Sequence, residues 1–167
     1  VIYVSTFSKI LMPGLRVGFL VAEGPVYNSL VDFKRVNDLA TSTLVQRALE
    51  AYVTVGRYQS HLRRSCQIFR KRRDVMLSAI QRYLPAEIRF DLPQGGLFIW
   101  LQLPHDLSSE KLFSLAWEEG VTFAPGNGFF PDGSGGRNWL RLNFVAQPPD
   151  QIEEGIKRLG RAMQRLS

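Results

Sequence analysis

The chain has 167 residues, of which 45% are apolar, and this places it in the ordinary range of globular proteins that bury a sizeable core. Its 21 basic and 15 acidic residues give a formal net charge of +6, which suits an anionic ligand or a solvated basic surface. The single cysteine, Cys66, excludes an internal disulfide, and the apolar runs are too short to span a bilayer, so we expect a cytoplasmic protein with no membrane segment.

The N-terminal segment predicts two strands joined by a polar loop. Residues 1–4 form an apolar run typical of a buried strand, and a second run follows at 17–22. Between them lie the polar segment 5–9 and a turn at Pro13 and Gly14, which punctuate the backbone. Because no initiator methionine precedes the first run, we expect the chain to continue a longer polypeptide.

The middle of the chain is helical. One helix is predicted after Pro25, and the polar cluster at 41–43 marks a break and can cap the next helix. Residues 44–84 then predict two helices that meet near Gly56. In the second of these, one apolar stripe is expected to face a core: Leu62, Cys66, Phe69, Met76, Ile80 and Leu84.

Pro85 ends this helix, and beyond it the pattern becomes that of a separate small α+β domain. The predicted elements are strands at 88–90, 97–103, 121–123 and 139–144, a helix from Ser108 through Glu119, and a C-terminal helix that carries Ile152, Ile156, Leu159 and Met163. The glycine-rich loop at 124–128 is expected to need unusual backbone angles.

Lys9 lies in the loop between the first two strands, with Arg16 close behind it. Apolar strands and a neighbouring cation would disfavour its ammonium form, and an unprotonated lysine forms a Schiff base with an aldehyde. Arg16 offers a rigid fork of donors for a phosphate, and the hydroxyls of Thr6 and Ser8 can add hydrogen bonds. A basic loop that is merely solvated is the alternative from composition alone.

A second candidate is Arg141, in the predicted strand at 139–144. Alternation along a strand puts Trp139, Arg141 and Asn143 on one face and Leu140, Leu142 and Phe144 on the other. A guanidinium in an apolar strand is costly unless it is paired, so it indicates either a structural salt bridge or a ligand site.

The segment STFSK, which ends at Lys9, is followed after three residues by PGLRVG, and together they resemble the active-lysine motif of class I/II aminotransferases of pyridoxal-phosphate (PLP) fold type I. The resemblance implies that Lys9 binds PLP covalently and acts as the general base. It also implies that Arg16, Ser8 and Thr6 bind the cofactor phosphate, with Thr6 standing where the family commonly has serine.

The later segments PQGGLFIW and VTFAPGNGF resemble small-domain segments of the same family, in the order expected between lysine and arginine. Gly95 and Gly96 are expected to serve a turn, with a contact to the substrate as the alternative. In this family a strand with arginine, an apolar residue, asparagine or serine, and phenylalanine closes the small domain. The resemblance therefore implies that Arg141 binds the α-carboxylate of an amino-acid substrate.

The fold implied is an α/β one in three parts. Residues 1–43 would be the tail of the large PLP-binding domain, 44–84 the connecting helices, and 85–167 the small C-terminal domain. The family's large domain supplies further contacts to the cofactor that have no counterpart here. We therefore expect this chain alone to bind PLP weakly and to turn over little or no substrate.

The function implied is transfer of an amino group between an α-amino acid and an α-keto acid, in a protein that is a homodimer at full length. A regulator is the alternative, because residues 58–76 resemble the bridging helix of MocR-type regulators of the GntR class, which would contact DNA only through an upstream domain. Direct binding of nucleic acid by this basic helix is a third hypothesis. His61 and His105 lack neighbouring ligands, and no metal is expected.

Overall fold

The computed structural model of the chain describes residues 1–131 and 135–166. It has the mixed α/β architecture that the sequence predicts, with five α-helices and two small antiparallel sheets in the described residues. The chain divides into two compact units, Val1–Cys66 and Gln67–Ser167, and the boundary falls within a long helix. The assignment of 1–43, 44–84 and 85–167 to a large domain, a connection and a small domain stays a prediction.

The first unit begins with a two-stranded antiparallel ribbon. Strand β1 (Tyr3–Thr6) pairs with β2 (Gly18–Val21), with Thr6 opposite Gly18 at the closed end. A single 3₁₀ turn at Pro13–Leu15 lies in the loop between the strands. The ribbon itself is confirmed, but its predicted burial is wrong for this chain: every residue of β2 is exposed, even though the Phe19 ring contacts those of Tyr3 and Phe7.

Three helices follow the ribbon. They are α1 (Val26–Asp38), α2 (Thr43–Thr54) and α3 (Arg57–Tyr83), so the prediction of two helices meeting near Gly56 is confirmed. Gly56 has φ +75° and nothing within 4 Å of a Cβ built on it, so this turn needs glycine for its backbone angles. Gly56 thereby sets the direction in which α3 leaves the turn.

The second unit contains a four-stranded antiparallel sheet with the order β3-β4-β6-β5. The strands are β3 (Arg89–Phe90), β4 (Phe98–Gln102), β5 (Ala124–Pro125) and β6 (Trp139–Asn143). The strand predicted at 121–123 is wrong: these residues connect helix α4 (Ser109–Glu118) to β5, which begins at Ala124, and the Val121 amide donates back to Ala116 O.

The loop after β5 also differs from its prediction. Neither Gly126 nor Gly128 has a positive φ, and residues 126–129 form a 3₁₀ turn. Gly126 is required for close packing, since a Cβ there would lie 2.5 Å from Gly136 O and 2.6 Å from the Cβ of Trp139. Glycine is required at this position because neighbouring backbone approaches closely, and not because of a left-handed backbone angle.

The core of the second unit lies on one face of this sheet. Helices α4 and α5 (Pro149–Gln164) and the C-terminal half of α3 cover Ile99, Leu101, Leu140, Leu142 and Phe144, which are all at most 4% exposed. The four apolar residues predicted for the C-terminal helix are all buried. The predicted stripe on α3 is buried at Met76 and Ile80 but not at Cys66, which is exposed. No helix in residues 1–131 and 135–166 is both long and apolar enough to cross a membrane.

Candidate functional site

The loop that carries Lys9 is closed at its base by the side chain of Thr6. The Phe7 amide and the Thr6 hydroxyl both donate to Val17 O, at 3.0 and 3.1 Å, and the Thr6 oxygen accepts from the Ser8 amide at 3.1 Å. Gly18 lets the strands come together here, because a Cβ at this position would lie 2.9 Å from the carbonyl oxygen of Ser5. The base of the loop is therefore fixed by the Thr6 hydroxyl and by one main-chain hydrogen bond from Phe7 to Val17.

These contacts bear on the role predicted for Thr6. A hydroxyl has one proton, and Thr6 donates its proton to a backbone carbonyl. In this geometry Thr6 braces the loop and has no proton left for a phosphate. Its assignment as a phosphate ligand stays a prediction that would require the hydroxyl to turn away from Val17.

Ser8 and Lys9 follow immediately. Ser8 is only 6% exposed, and its hydroxyl has no hydrogen-bond partner among the described residues. Lys9 is exposed and makes no ion pair within residues 1–131 and 135–166. The burial that the sequence predicts around Lys9 is therefore not provided by this chain's own described residues.

Arg16 lies at the other end of the loop, in a strained conformation. It has φ 49° and ψ 35°, the left-handed region that non-glycine residues rarely adopt, at a cost of about 1–2 kcal/mol. Its guanidinium is exposed and has no acidic partner in the described part of the chain. Strain of this kind persists where the surrounding structure imposes it. Here the left-handed conformation determines the direction in which the Arg16 side chain leaves the backbone.

The donors of this loop fit PLP. A primary amine on Lys9 suits the aldehyde, while a free guanidinium on Arg16 and an unpartnered, nearly buried hydroxyl on Ser8 suit an anionic phosphate. All three lie in one loop that is closed at its base, and none is neutralised by a carboxylate of the described chain.

Arg141 lies on β6 in the second unit, opposite Trp100 on β4 and Ala124 on β5. Its guanidinium carbon is 4.1 Å from the ring centroid of Phe98 and 4.5 Å from that of Phe129. No carboxylate in the described residues pairs with it. Arg141 therefore makes no salt bridge within the described residues. Two aromatic rings hold the cation, and the N–H groups at the edge of the guanidinium have no acidic partner there.

The aromatic residues around Arg141 extend into a cluster on the sheet face away from the core. Trp100 stacks on Trp139, with centroids 5.5 Å apart and planes at 15°, and meets the edge of Phe129 at 5.3 Å. Sequence reasoning missed Phe98 and Phe129. Alternation along β4 places Phe98 on this face and could have found it, but Phe129 comes from a 3₁₀ turn that carries no periodic signal.

Gly95 and Gly96 precede β4. Gly96 has φ +80°, and a Cβ at either glycine would meet no atom within 4 Å. The turn therefore needs glycine at 96 for its backbone angles, while a substrate contact at either position stays a prediction.

The chain is similar to known proteins over nearly its whole length. The profile of aminotransferase class I and II matches residues 1–159. The chain is 43% identical over 166 residues to the 2-aminoadipate transaminase of Thermus thermophilus, covering 99% of this chain and 41% of that protein. It is also 34% identical over 163 residues to the HTH-type transcriptional regulator TauR of Rhodobacter capsulatus, covering 98% of this chain and 34% of the regulator.

Among solved structures, the chain is similar to LysN, the alpha-aminoadipate aminotransferase from Thermus thermophilus, complexed with N-(5′-phosphopyridoxyl)-L-leucine. The TM-score is 0.91 at 42% identity, covering 99% of this chain and 42% of that one. The chain thus spans about two fifths of the length of the enzymes it matches. With a family profile over nearly its whole length, this chain belongs to the class I and II aminotransferase family.

Proposed function

We propose that the protein containing this chain is a PLP-dependent aminotransferase that transfers an amino group between an α-amino acid and an α-keto acid. The observation that carries the proposal is the closed loop in which the amine of Lys9 and the guanidinium of Arg16 have no acidic partner in the described residues. The 43% identity to a 2-aminoadipate transaminase supports an enzyme that acts on amino acids.

When bound, PLP acts as an electron sink for the bonds at the amino-acid Cα. The residues of the loop have separate tasks. Arg16 would bind the phosphate with its fork of donors, and Ser8 would donate its free hydroxyl proton to the same group. Lys9 Nζ would first hold the aldehyde and then, as a free amine, accept the Cα proton and return it to the cofactor carbon.

Arg141 would bind the α-carboxylate of the amino acid. A guanidinium offers two parallel N–H donors to a carboxylate, and the rings of Phe98 and Phe129 limit the rotation of its plane. Holding the substrate still in this way lowers the entropic cost of proton transfer at Cα.

The cellular setting is proposed with the activity. The full-length protein would be a cytoplasmic homodimer, since the lone cysteine gives no sign of an oxidising compartment. The chain alone would bind PLP weakly, because Lys9 is exposed in the described part of the chain and the Thr6 hydroxyl donates its proton to Val17 O.

The first test is Lys9→Ala in the full-length protein. We expect it to abolish the visible absorbance of lysine-bound PLP and to stop transamination, because no other group replaces the amine. Lys34→Ala is the matched control, since Lys34 is an exposed lysine of the same unit that pairs with Asp38 at 2.6 Å. Retention of the absorbance by the Lys9 variant would overturn the assignment.

The second test is Arg141→Lys, which keeps the charge and removes the bidentate fork. We expect kcat/KM for an α-amino acid to fall by about 10- to 150-fold, equivalent to about 1.5–3 kcal/mol for a charged hydrogen-bonded contact. Arg89→Lys, on an exposed position of β3 in the same sheet, is the control and should leave kcat/KM unchanged. An equal response of both variants would contradict the role of Arg141.

A regulator remains the second candidate, and the 34% identity to TauR favours it. In that case the same residues would hold PLP or its adduct with an amino acid and would sense an effector. The two functions separate in one experiment on the full-length protein: amino-acid-dependent conversion of an α-keto acid supports the enzyme. Specific binding to DNA, altered by PLP, with no conversion supports the regulator.

A further inference from the structure

His61 contacts the loop of Lys9 from a position 51 residues away in the sequence. Its Nε2 lies 2.8 Å from Ile10 O, while Ser65 Oγ lies 3.3 Å from the same nitrogen. A carbonyl oxygen can only accept, so Nε2 carries the proton and donates it to Ile10 O. The Ser65 hydroxyl oxygen can then only accept a second, longer hydrogen bond from the same N–H.

This bond completes the hydrogen bonding of one peptide unit next to Lys9. The Ile10 carbonyl and the Leu11 amide belong to the same planar peptide, and the Leu11 amide donates to Phe7 O at 2.9 Å. His61 holds the other end of that plane. The Ile10–Leu11 peptide is thus held at both ends: its N–H closes the turn onto Phe7, just after β1, and its C=O accepts from His61 on α3.

Two further features direct α3 to this point. The left-handed Gly56, at φ +75°, starts the helix, and the Tyr58 ring meets the edge of the Phe7 ring with centroids 5.9 Å apart. His61 lies one turn beyond Tyr58 on the same helix. The first turns of α3 therefore contact the loop twice, once through a ring and once through a hydrogen bond to the backbone.

We propose that His61 is a positioning residue for Lys9, acting by donating Nε2–H to the carbonyl of Ile10. The inference rests on the proposed function of Lys9. Without this bond the Ile10 carbonyl loses its partner among the described residues, and the Ile10–Leu11 peptide, one residue beyond Lys9, is held only by its N–H. Because proton transfer depends steeply on geometry, a small displacement of the lysine backbone slows the chemistry more than it weakens substrate binding.

The test compares His61→Leu with His61→Gln in the full-length protein. Leucine removes the donor, whereas the Gln Nε2 can still donate from nearly the same place. We expect His61→Leu to lower kcat by about 10- to 100-fold with little change in KM, and to change the visible circular dichroism of lysine-bound PLP. His61→Gln should recover most of both signals. His105→Leu, an exposed histidine of the second unit, is the control and should resemble wild type.

A readout without cofactor guards against a general loss of folding. In the apo-protein, hydrogen exchange at the Leu11 amide should speed up in His61→Leu and not in His61→Gln, while amides of the second unit stay protected. Equal exchange, kcat and dichroism in both His61 variants would overturn the proposal. So would uniform loss of protection across the protein in both. Failure of the proposed function is distinguishable, because it would instead appear as retained PLP absorbance in Lys9→Ala.

Discussion

Substitution of Gly160 in α5 tests how the last helix packs against the end of α3. A Cβ at Gly160 would lie 2.4 Å from Tyr83 O and 3.6 Å from Leu84 Cδ2. The nearer atom is backbone at the last residue of α3, so it cannot turn aside as a side chain would. In Gly160→Ala the two helices must separate by about 1 Å to reach ordinary contact distance.

The magnitude depends on two opposing effects. Overpacking a buried site costs about 1–3 kcal/mol, whereas replacing glycine by alanine inside a helix gains about 1 kcal/mol. Gly155 lies in the same helix with no atom within 4 Å of a built Cβ, so Gly155→Ala should show the gain alone. The difference between the two variants therefore isolates the overpacking cost, about 1–3 kcal/mol in favour of Gly155→Ala.

The assay is urea unfolding followed by circular dichroism, with the slope checked so that only stability differs. For a chain of this length, the same difference corresponds to about 2–4 °C in Tm for each kcal/mol. If both variants shifted Tm by the same amount in the same direction, α5 would not approach the end of α3 as described.

Substitutions at three other positions give distinct expectations. Phe129→Leu removes one of the rings on Arg141, so KM for an α-amino acid should rise about 2- to 5-fold in steady-state kinetics, equivalent to about 0.5–1 kcal/mol. The hydrogen bond from Arg158 lowers the pKa of Glu154, so its contribution to stability is present at neutral pH and is lost as the pH falls through the lowered value. The difference in free energy of unfolding between wild type and Glu154→Gln should therefore shrink between about pH 7 and about pH 3. Arg16→Gly relieves the left-handed strain and should stabilise the apo-protein by about 1 kcal/mol in a thermal melt, while weakening PLP binding in a spectrophotometric titration. Arg16→Ala should lose affinity without that gain.

Elements with strong periodicity could be predicted from the sequence. The C-terminal helix carries apolar residues three and four positions apart, and the four that were expected to face a core are all buried. Alternation on β6 likewise placed Leu140 and Leu142 in the core and Arg141 on the opposite face. In both cases one local rule fixes which side chains share a face, whatever the rest of the fold does.

The wrong predictions came from features that local rules do not determine. The apolar run of β2 indicates a strand but not what covers it, and in the described residues it is exposed. The residues at 121–123 have the composition of a strand, yet they form the connection between α4 and β5, where the Val121 amide donates back to Ala116 O. Gly126 is a glycine because another backbone approaches it, and that approach is not visible in its own segment.

In the candidate site too, the reactive side chains could be predicted from local sequence, whereas the residues that support them could not. The motif around Lys9 and the strand around Arg141 mark the reactive side chains, because their chemistry depends on residue type. The groups that hold each of them come from elsewhere in the chain: His61 lies 51 residues from Ile10, and Phe129 comes from a separate turn. Substitutions outside the motif should therefore alter function while leaving the motif intact, and the response of the His61 and Phe129 variants measures how much of the activity depends on these supports.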